Sequence, residues 1–479
     1  MLSSPRMDRE ADGPGGGGIG AEWRPMIGLA APVIVAELGW MAMSIVDTIM
    51  VGGLGPEAIG AVSVGGTLHF AVVIFGMGLL LGLDALISQA FGARRMEEGR
   101  RSLIQAFYLS AIVTPPLVFL QYLVADHLGD FGITAGVVAL AGPYMKIMAW
   151  STLPLMIYGS LRRYLQATGA VRSVMVALIT ANSINWFLNW LLIRGHWGFP
   201  SLGVDGSGWS TLWARVYIAI VLAVAAVARE RQDPSAFWRV SSGFDPARMA
   251  RLVALGLPAA LQITLEVGVF AVATALAGRL DAASLAAHQI VLSVSSVTFM
   301  VPLGLSSAAS VRVGHAIGRR DPGGAASAGW AAIGLGVGVM AASGIMLVAV
   351  PRGISSIFST DPTVLAISVR LLLVAACFQL FDGVQVVTTG VLRGAGDTRT
   401  PMVAGLVTHW AVGLPIGAWL GLGRGWGVVG LWVGLSSGLI TSGVVLLVAW
   451  LRLVPRLGKA ATLLDDPATA DAAQSVGAR

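Results

Sequence analysis

The sequence predicts an all-α integral membrane protein whose twelve transmembrane helices form two parallel six-helix repeats. Three observations carry that expectation. Apolar runs long enough to cross a bilayer core, which takes ~20 helical residues, recur along the whole chain. Arginines and lysines concentrate in alternate connecting segments. Motifs of the first half return in the second at a nearly constant offset, between 224 and 227 residues.

Of the 479 residues, 56% are hydrophobic and 12% charged, against roughly 25% charged in soluble domains, and the mean hydropathy is +0.78. The net charge of +6 would point to nucleic acid in a soluble protein, but here membrane orientation accounts for the bases. Cys377 is the only cysteine, which excludes a disulfide framework or a cysteine metal site. Residues 1–23 are polar and Gly-rich, with no apolar core before a cleavage site. They read as a disordered cytoplasmic arm rather than a signal peptide.

Apolar runs between charged or Gly/Pro-rich breaks place helices at about 26–51, 58–90, 102–124, 134–159, 171–194 and 207–228 in a first lobe spanning 24–228. A charged stretch, 229–248, reads as the cytoplasmic linker. The second lobe, 249–452, holds helices at about 249–278, 284–314, 326–350, 363–391, 400–421 and 427–452, and 453–479 form a cytoplasmic tail. With the N-terminus inside, the inner segments carry 24 Lys and Arg residues, the outer segments 4 and the spans 3, namely Lys146, Arg215 and Arg370. Cytoplasmic loops carry such an excess, so both termini face the cytoplasm.

Pro32 matches Pro258, Gly92 matches Gly318 and Arg94 matches Arg320 at an offset of 226. Leu165–Gly169 faces Leu392–Gly396 at 227, and Gly203 faces Gly427 at 224. Six crossings return the chain to its starting side, so the repeats share orientation and are related by an axis along the membrane normal. Two bundles facing each other across a cleft is a transporter plan.

Glu37, Asp47, Asp84, Glu266 and Asp382 lie inside these apolar runs, where an ionised side chain costs roughly 2.5–3.5 kcal/mol on insertion scales. Asp47 lies ~7–8 Å inside the outer end of the first helix. Asn185 and Asn189 share a face of the fifth helix at i and i+4, and Thr211 sits at similar depth on the sixth. A carboxylate, two amides and a hydroxyl in one layer suit a hard monovalent cation or a proton. Glu266 is near the middle of the seventh helix and Asp382 deep in the tenth. Glu37, displaced by about 80° from Asp47 around the first helix, is read as lining the same cleft, and Asp84 as lying toward the inner interface. Pro32 removes a helical hydrogen bond and is the expected hinge. His69, His288 and His409 lack metal-ligand spacing and read as interhelical hydrogen-bonding contacts.

The segment Val46–Gly53 (VDTIMVGG) resembles the first-helix signature of multidrug and toxic compound extrusion (MATE) transporters of the NorM-like branch. So do Ser88–Gly92, Leu265–Val269 with Ala286–Gln289, Val311–His315, and Phe381–Gln385 followed by Leu392–Gly394, over about residues 24–452. The resemblance implies a MATE-like two-lobe antiporter of the bacterial inner membrane, acting as a monomer. It would export cationic amphipathic drugs in exchange for inward Na⁺ or H⁺, with no other cofactor. On the matching positions, Asp47, Asn185, Asn189 and Thr211 correspond to an N-lobe cation site, and Glu266 and Asp382 to a C-lobe site. Two positions depart from the pattern. Phe378 stands where NorM-like relatives often carry tyrosine, and Asn189 replaces an aspartate of the DinF-like branch.

A lipid-linked precursor flippase of the same broad superfamily is the alternative, and it would favour a basic cleft. A membrane-embedded enzyme has no supporting HExxH, paired-cysteine or Ser/His/Asp spacing, and a passive channel would need a ring of subunits or a backbone filter.

Overall fold

The structure, a computed structural model, describes residues 19–230 and 242–457. Its helices are α1 Ile19–Gly52, α2 Pro56–Gly92, α3 Met96–Asp126, α4 in two segments (Ala135–Trp150 and Thr152–Ala167), α5 Val171–Arg194 and α6 Val204–Glu230. They continue as α7 Pro246–Gly278, α8 Ala282–Gly318, α9 Pro322–Ala349, α10 Pro362–Gly394, α11 Arg399–Gly423 and α12 Gly427–Leu453. Eleven are long and apolar enough to cross a membrane. Split at Ser151, α4 supplies the twelfth span. The described residues contain no strand.

Most of the expected arm, linker and tail lies outside the described residues. The flanking helices reach further than the apolar runs: α1 starts at Ile19, α6 runs to Glu230 and α7 starts at Pro246. Several helix starts are written locally. Asp245, Asp321 and Asp361 each cap a helix with a side-chain oxygen and are followed by proline, whose missing N–H costs nothing at the first helical position.

The internal repeat extends to the backbone. Arg94 and Arg320 take left-handed φ values of 59° and 57°, Gly169 and Gly396 of 80° and 89°, and Gly203 and Gly427 of 56° and 59°. After α2, Arg95 N donates to Ala90 O, and after α8, Asp321 N donates to Ala316 O, each at 2.9 Å. That six-to-one closure around a left-handed residue ends a helix in the same way in both halves. Similarity extending to non-glycine residues in this conformation, which costs roughly 1–2 kcal/mol, is not a compositional accident.

The two six-helix lobes meet chiefly through α1 and α2 on one side and α7 and α8 on the other. The contact is between small residues, which allow close backbone approach. A Cβ at Gly82 would lie 2.6 Å from Leu252 O, and one at Gly304 2.9 Å from Ile34 N. At Gly92 and Gly318 it would run into the facing backbone of His315 and Gln89. Across the same seam, Gln89 Nε2 donates to Gly394 O at 3.1 Å, and His315 Nε2 donates to Ala167 O at 2.8 Å. Arg312 meets Glu22 and Arg248 meets Glu98, each at 2.5 Å. Among the described residues, the cross-lobe polar contacts all lie at the arginine-rich end.

Two helix ends extend past the sequence boundaries for a single reason. The fourth span runs to Ala167 instead of stopping near 159, and α10 runs to Gly394 instead of 391. Arg162, Arg163 and Arg393 look like loop residues in the sequence, but buried carboxylates receive them inside the bundle. At Pro25 and Pro32, α1 continues without interruption.

Candidate functional site

In the N-terminal lobe the polar layer is assembled around Asp47. Asn189 Nδ2 donates to Asp47 Oδ1 at 2.7 Å and Asn185 Nδ2 to the same oxygen at 3.1 Å. Thr211 Oγ1 donates to Oδ2 at 2.7 Å. Because Asn185 and Asn189 are one turn apart, Asn189 Nδ2 also reaches Asn185 Oδ1 at 3.2 Å. All four side chains are buried, and Asn189 Oδ1 is left without a donor. Both carboxylate oxygens therefore already carry neutral donors. To hold a cation, the amides would turn their oxygens inward.

The C-terminal lobe is arranged differently. Glu266 Oε1 accepts from Gln262 Nε2 at 3.2 Å, one turn back on α7, and from Gln385 Nε2 at 2.8 Å on α10. Asp382 precedes Gln385 by three residues on α10 and is buried. Among the described residues it receives no hydrogen bond and no ion pair. Nearby, Gln385 Oε1 and His409 Nε2 are buried acceptors without a partner. An acceptor-rich pair of acids with no lysine or arginine paired to it among the described residues is what a proton or a cation neutralises. Phe378, one turn before Asp382, stacks on Trp432 with ring centroids 5.9 Å apart. Trp432 Nε1 in turn donates to His288 Nδ1 at 3.0 Å.

The helix facing Glu266 is irregular. In α11, Leu406–Gly413 and Trp419–Gly423 are π-helical, a distortion that recurs at functional sites. It lies where Trp410 Nε1 donates to Leu265 O at 3.2 Å and Gly438 of α12 closes on Thr408 O. Apolar periodicity carries no mark of it.

Glu37 and Asp84 are engaged elsewhere. Glu37 is paired with Arg162 of α4, whose Nη1 also donates to Tyr158 OH at 3.1 Å. The pair is sealed by Trp40 stacked on Tyr158 at 5.6 Å. The structure thus gives this carboxylate an arginine partner within the first lobe. Asp84 bridges the lobes, with Arg163 Nη1 at 3.2 Å and Arg393 Nε at 2.9 Å on the same oxygen.

Its place in the sequence assigns Arg215 no role beyond being a base inside a span. Buried on α6 one turn after Thr211, it donates to His69 Nε2 at 2.7 Å and to Ser151 Oγ at 2.5 Å, where α4 breaks. Arginine has only donors, so His69 accepts through Nε2 and donates through Nδ1 to Gln121 Oε1 at 2.6 Å. Gln121 then donates to Thr152 Oγ1 at 3.0 Å.

Two parallel six-helix lobes, each with at least one acid buried within its membrane-spanning helices, are the plan of a multi-pass membrane transporter. A family model described as MatE matches residues 32–191 and again 258–419, one segment in each lobe. The chain belongs to the MatE family. It is 37% identical over 443 residues to the probable multidrug resistance protein NorM of Mesorhizobium japonicum, covering 90% of this chain and 94% of that protein. It is 36% identical over 431 residues to the multidrug resistance protein NorM of Burkholderia vietnamiensis, covering 88% and 92%. Among solved structures, the eukaryotic MATE transporter AtDTX14 superposes with a TM-score of 0.84 at 21% identity, covering 92% of this chain and 99% of that one. The Vibrio cholerae MATE transporter VcmN in its bent form superposes with a TM-score of 0.81 at 18% identity, covering 92% and 98%.

Proposed function

We propose that this protein is a multidrug efflux antiporter of the bacterial inner membrane, with both termini cytoplasmic. It exports cationic amphipathic compounds in exchange for inward Na⁺ or H⁺ by alternating access. The observation that carries this reading is the pair Glu266, half-buried, and Asp382, buried, with no lysine or arginine paired to either and, among the described residues, no hydrogen-bond donor to Asp382. A site of that charge is neutralised by one ligand at a time, so loading the coupling ion promotes release of the drug, and the reverse follows by linkage. Asp47 is the corresponding acid of the first lobe. The ion pairs at the arginine-rich end hold that end shut while the opposite end exchanges ligand. A flippase for pyrophosphate-linked lipids would line the cleft with bases, whereas Arg162, Arg163 and Arg393 are bound to carboxylates.

The test is efflux of a fluorescent cationic dye from proteoliposomes under sodium and proton gradients imposed separately. Wild-type export should follow at least one gradient, and Asp382→Asn and Glu266→Gln should abolish that dependence. Full gradient-driven export by Asp382→Asn would refute the assignment.

A further inference from the structure

Four of the buried arginines, Arg100, Arg162, Arg248 and Arg393, each have a carboxylate within ion-pair distance. Arg215, also buried, has none among the described residues. Its guanidinium is held by neutral groups only: the His69 ring, the Ser151 hydroxyl and the face of Trp40, whose centroid is 5.5 Å away. Its Nε is buried without a partner. An uncompensated buried charge is costly, and five helices contribute to fixing this one, with Gln121 and Thr152 holding the histidine behind it. The nearest acid by position is Asp47, because Thr211, which donates to Asp47, and Arg215 stand at i and i+4 on one face of α6.

We infer that Arg215 is the fixed counter-charge of the Asp47 site and a specificity-determining residue. It makes the first lobe's polar layer electrically neutral when Asp47 is ionised, and so directs external cations to the second lobe. The charge count separates the two sites. Asp47 with Arg215 sums to zero, and three neutral donors already occupy the carboxylate. Glu266 with Asp382 sums to two negative charges when both are ionised. A sodium ion or an organic cation entering the Asp47 layer would leave a net positive charge in a low-dielectric interior, whereas the second site stays neutral or negative after taking one. Arg215 touches no ligand. It acts through Asp47, and its hydrogen bonds to His69 and Ser151 keep it from swinging away.

This rests on the reading that Glu266 and Asp382 hold the exchanged cation, and the experiment tests the two separately. Equilibrium binding of radiolabelled sodium and of radiolabelled tetraphenylphosphonium is measured on the purified full-length protein. Wild type should bind at least one, and Glu266→Gln/Asp382→Asn should remove that binding; if it does not, the functional reading fails. In that double-variant background, Arg215→Gln should restore cation binding, with affinity raised roughly tenfold or more over Arg215→Lys, which keeps the charge. Adding Asp47→Asn should abolish the restored binding. A folded Arg215→Gln protein that binds no better than Arg215→Lys overturns the inference, as does restored binding that survives Asp47→Asn. Should Arg215→Gln not fold, Asn189→Asp in the same background, with Arg215 intact, decides the question. The added carboxylate makes the layer negative and should create a cation site, and its failure to do so overturns the inference.

Discussion

Asp84→Asn should shift the protein toward a state with the arginine-rich end parted. Asp84 Oδ2 faces Arg163 of its own lobe at 3.2 Å and Arg393 of the other lobe at 2.9 Å. Their side chains are 5%, 13% and 8% exposed, so solvent screens the trio little. At 2.9 Å and an effective dielectric near 20, the Asp84–Arg393 attraction is roughly 6 kcal/mol in gross terms. Parting the lobes rehydrates both groups and returns most of that. A net value of about 1.5–3 kcal/mol, usual for a contact to a charged group, is therefore the part that holds the closed state. Losing it corresponds to roughly a ten- to hundredfold change in the ratio of parted to closed molecules. The two arginines left facing each other push in the same direction. Spin labels at Glu97→Cys and Arg399→Cys, in a Cys377→Ser background, report the separation by pulsed dipolar spectroscopy. The variant should gain a population at longer distance. A distance distribution superimposable on that of the parent would refute the claim that Asp84 clasps the lobes.

Other outcomes follow from the same contacts. Glu37→Gln strands Arg162 in the first lobe and should cost about 3–5 kcal/mol of stability. It should read as a lower thermal transition in detergent, with export per folded molecule retained; loss of export without loss of stability would place Glu37 in the transport site instead. Gly92→Ala puts a methyl group against the His315 backbone and should favour the parted state in the same spin-label pair, and an unchanged distribution would show that the seam yields. His69→Phe removes an acceptor that keeps Arg215 beside the Asp47 layer and, in the Glu266→Gln/Asp382→Asn background, should raise cation binding that depends on Asp47, while in the otherwise unchanged protein Glu266-dependent cation binding stays intact, which the binding assay reads directly.

Much of the fold was legible because lipid imposes a simple rule: each crossing needs a long apolar run, and inner loops carry the arginines. The repeat was legible because equal offsets recur at residues with backbone duties, as the shared left-handed positions of Arg94 and Arg320 make plain. The layer of Asp47, Asn185, Asn189 and Thr211 could be read because helical rise converts sequence distance into depth, and equal depth on neighbouring helices brings groups together. Partnerships between helices could not be read that way. Arg162, Arg163 and Arg393 look like loop bases until Glu37 and Asp84 are seen to receive them. Arg215 looks like a lone span-internal base until His69 and Ser151 close on it.

By itself the sequence determined what the protein is made to live in, how many times it crosses, that its halves repeat, and which acids lie deep. These follow from local composition and a fixed rise per residue. Only the tertiary structure decided which acids are paired with arginines, which accept from neutral donors, and that Asp382, among the described residues, is left with no donor. It also decided at which end the lobes are clasped and where α11 departs from regular helix. Those depend on pairing between segments more than a hundred residues apart in the chain, as Glu37 with Arg162 and Asp84 with Arg393 are, and no local pattern encodes the partner of a buried charge.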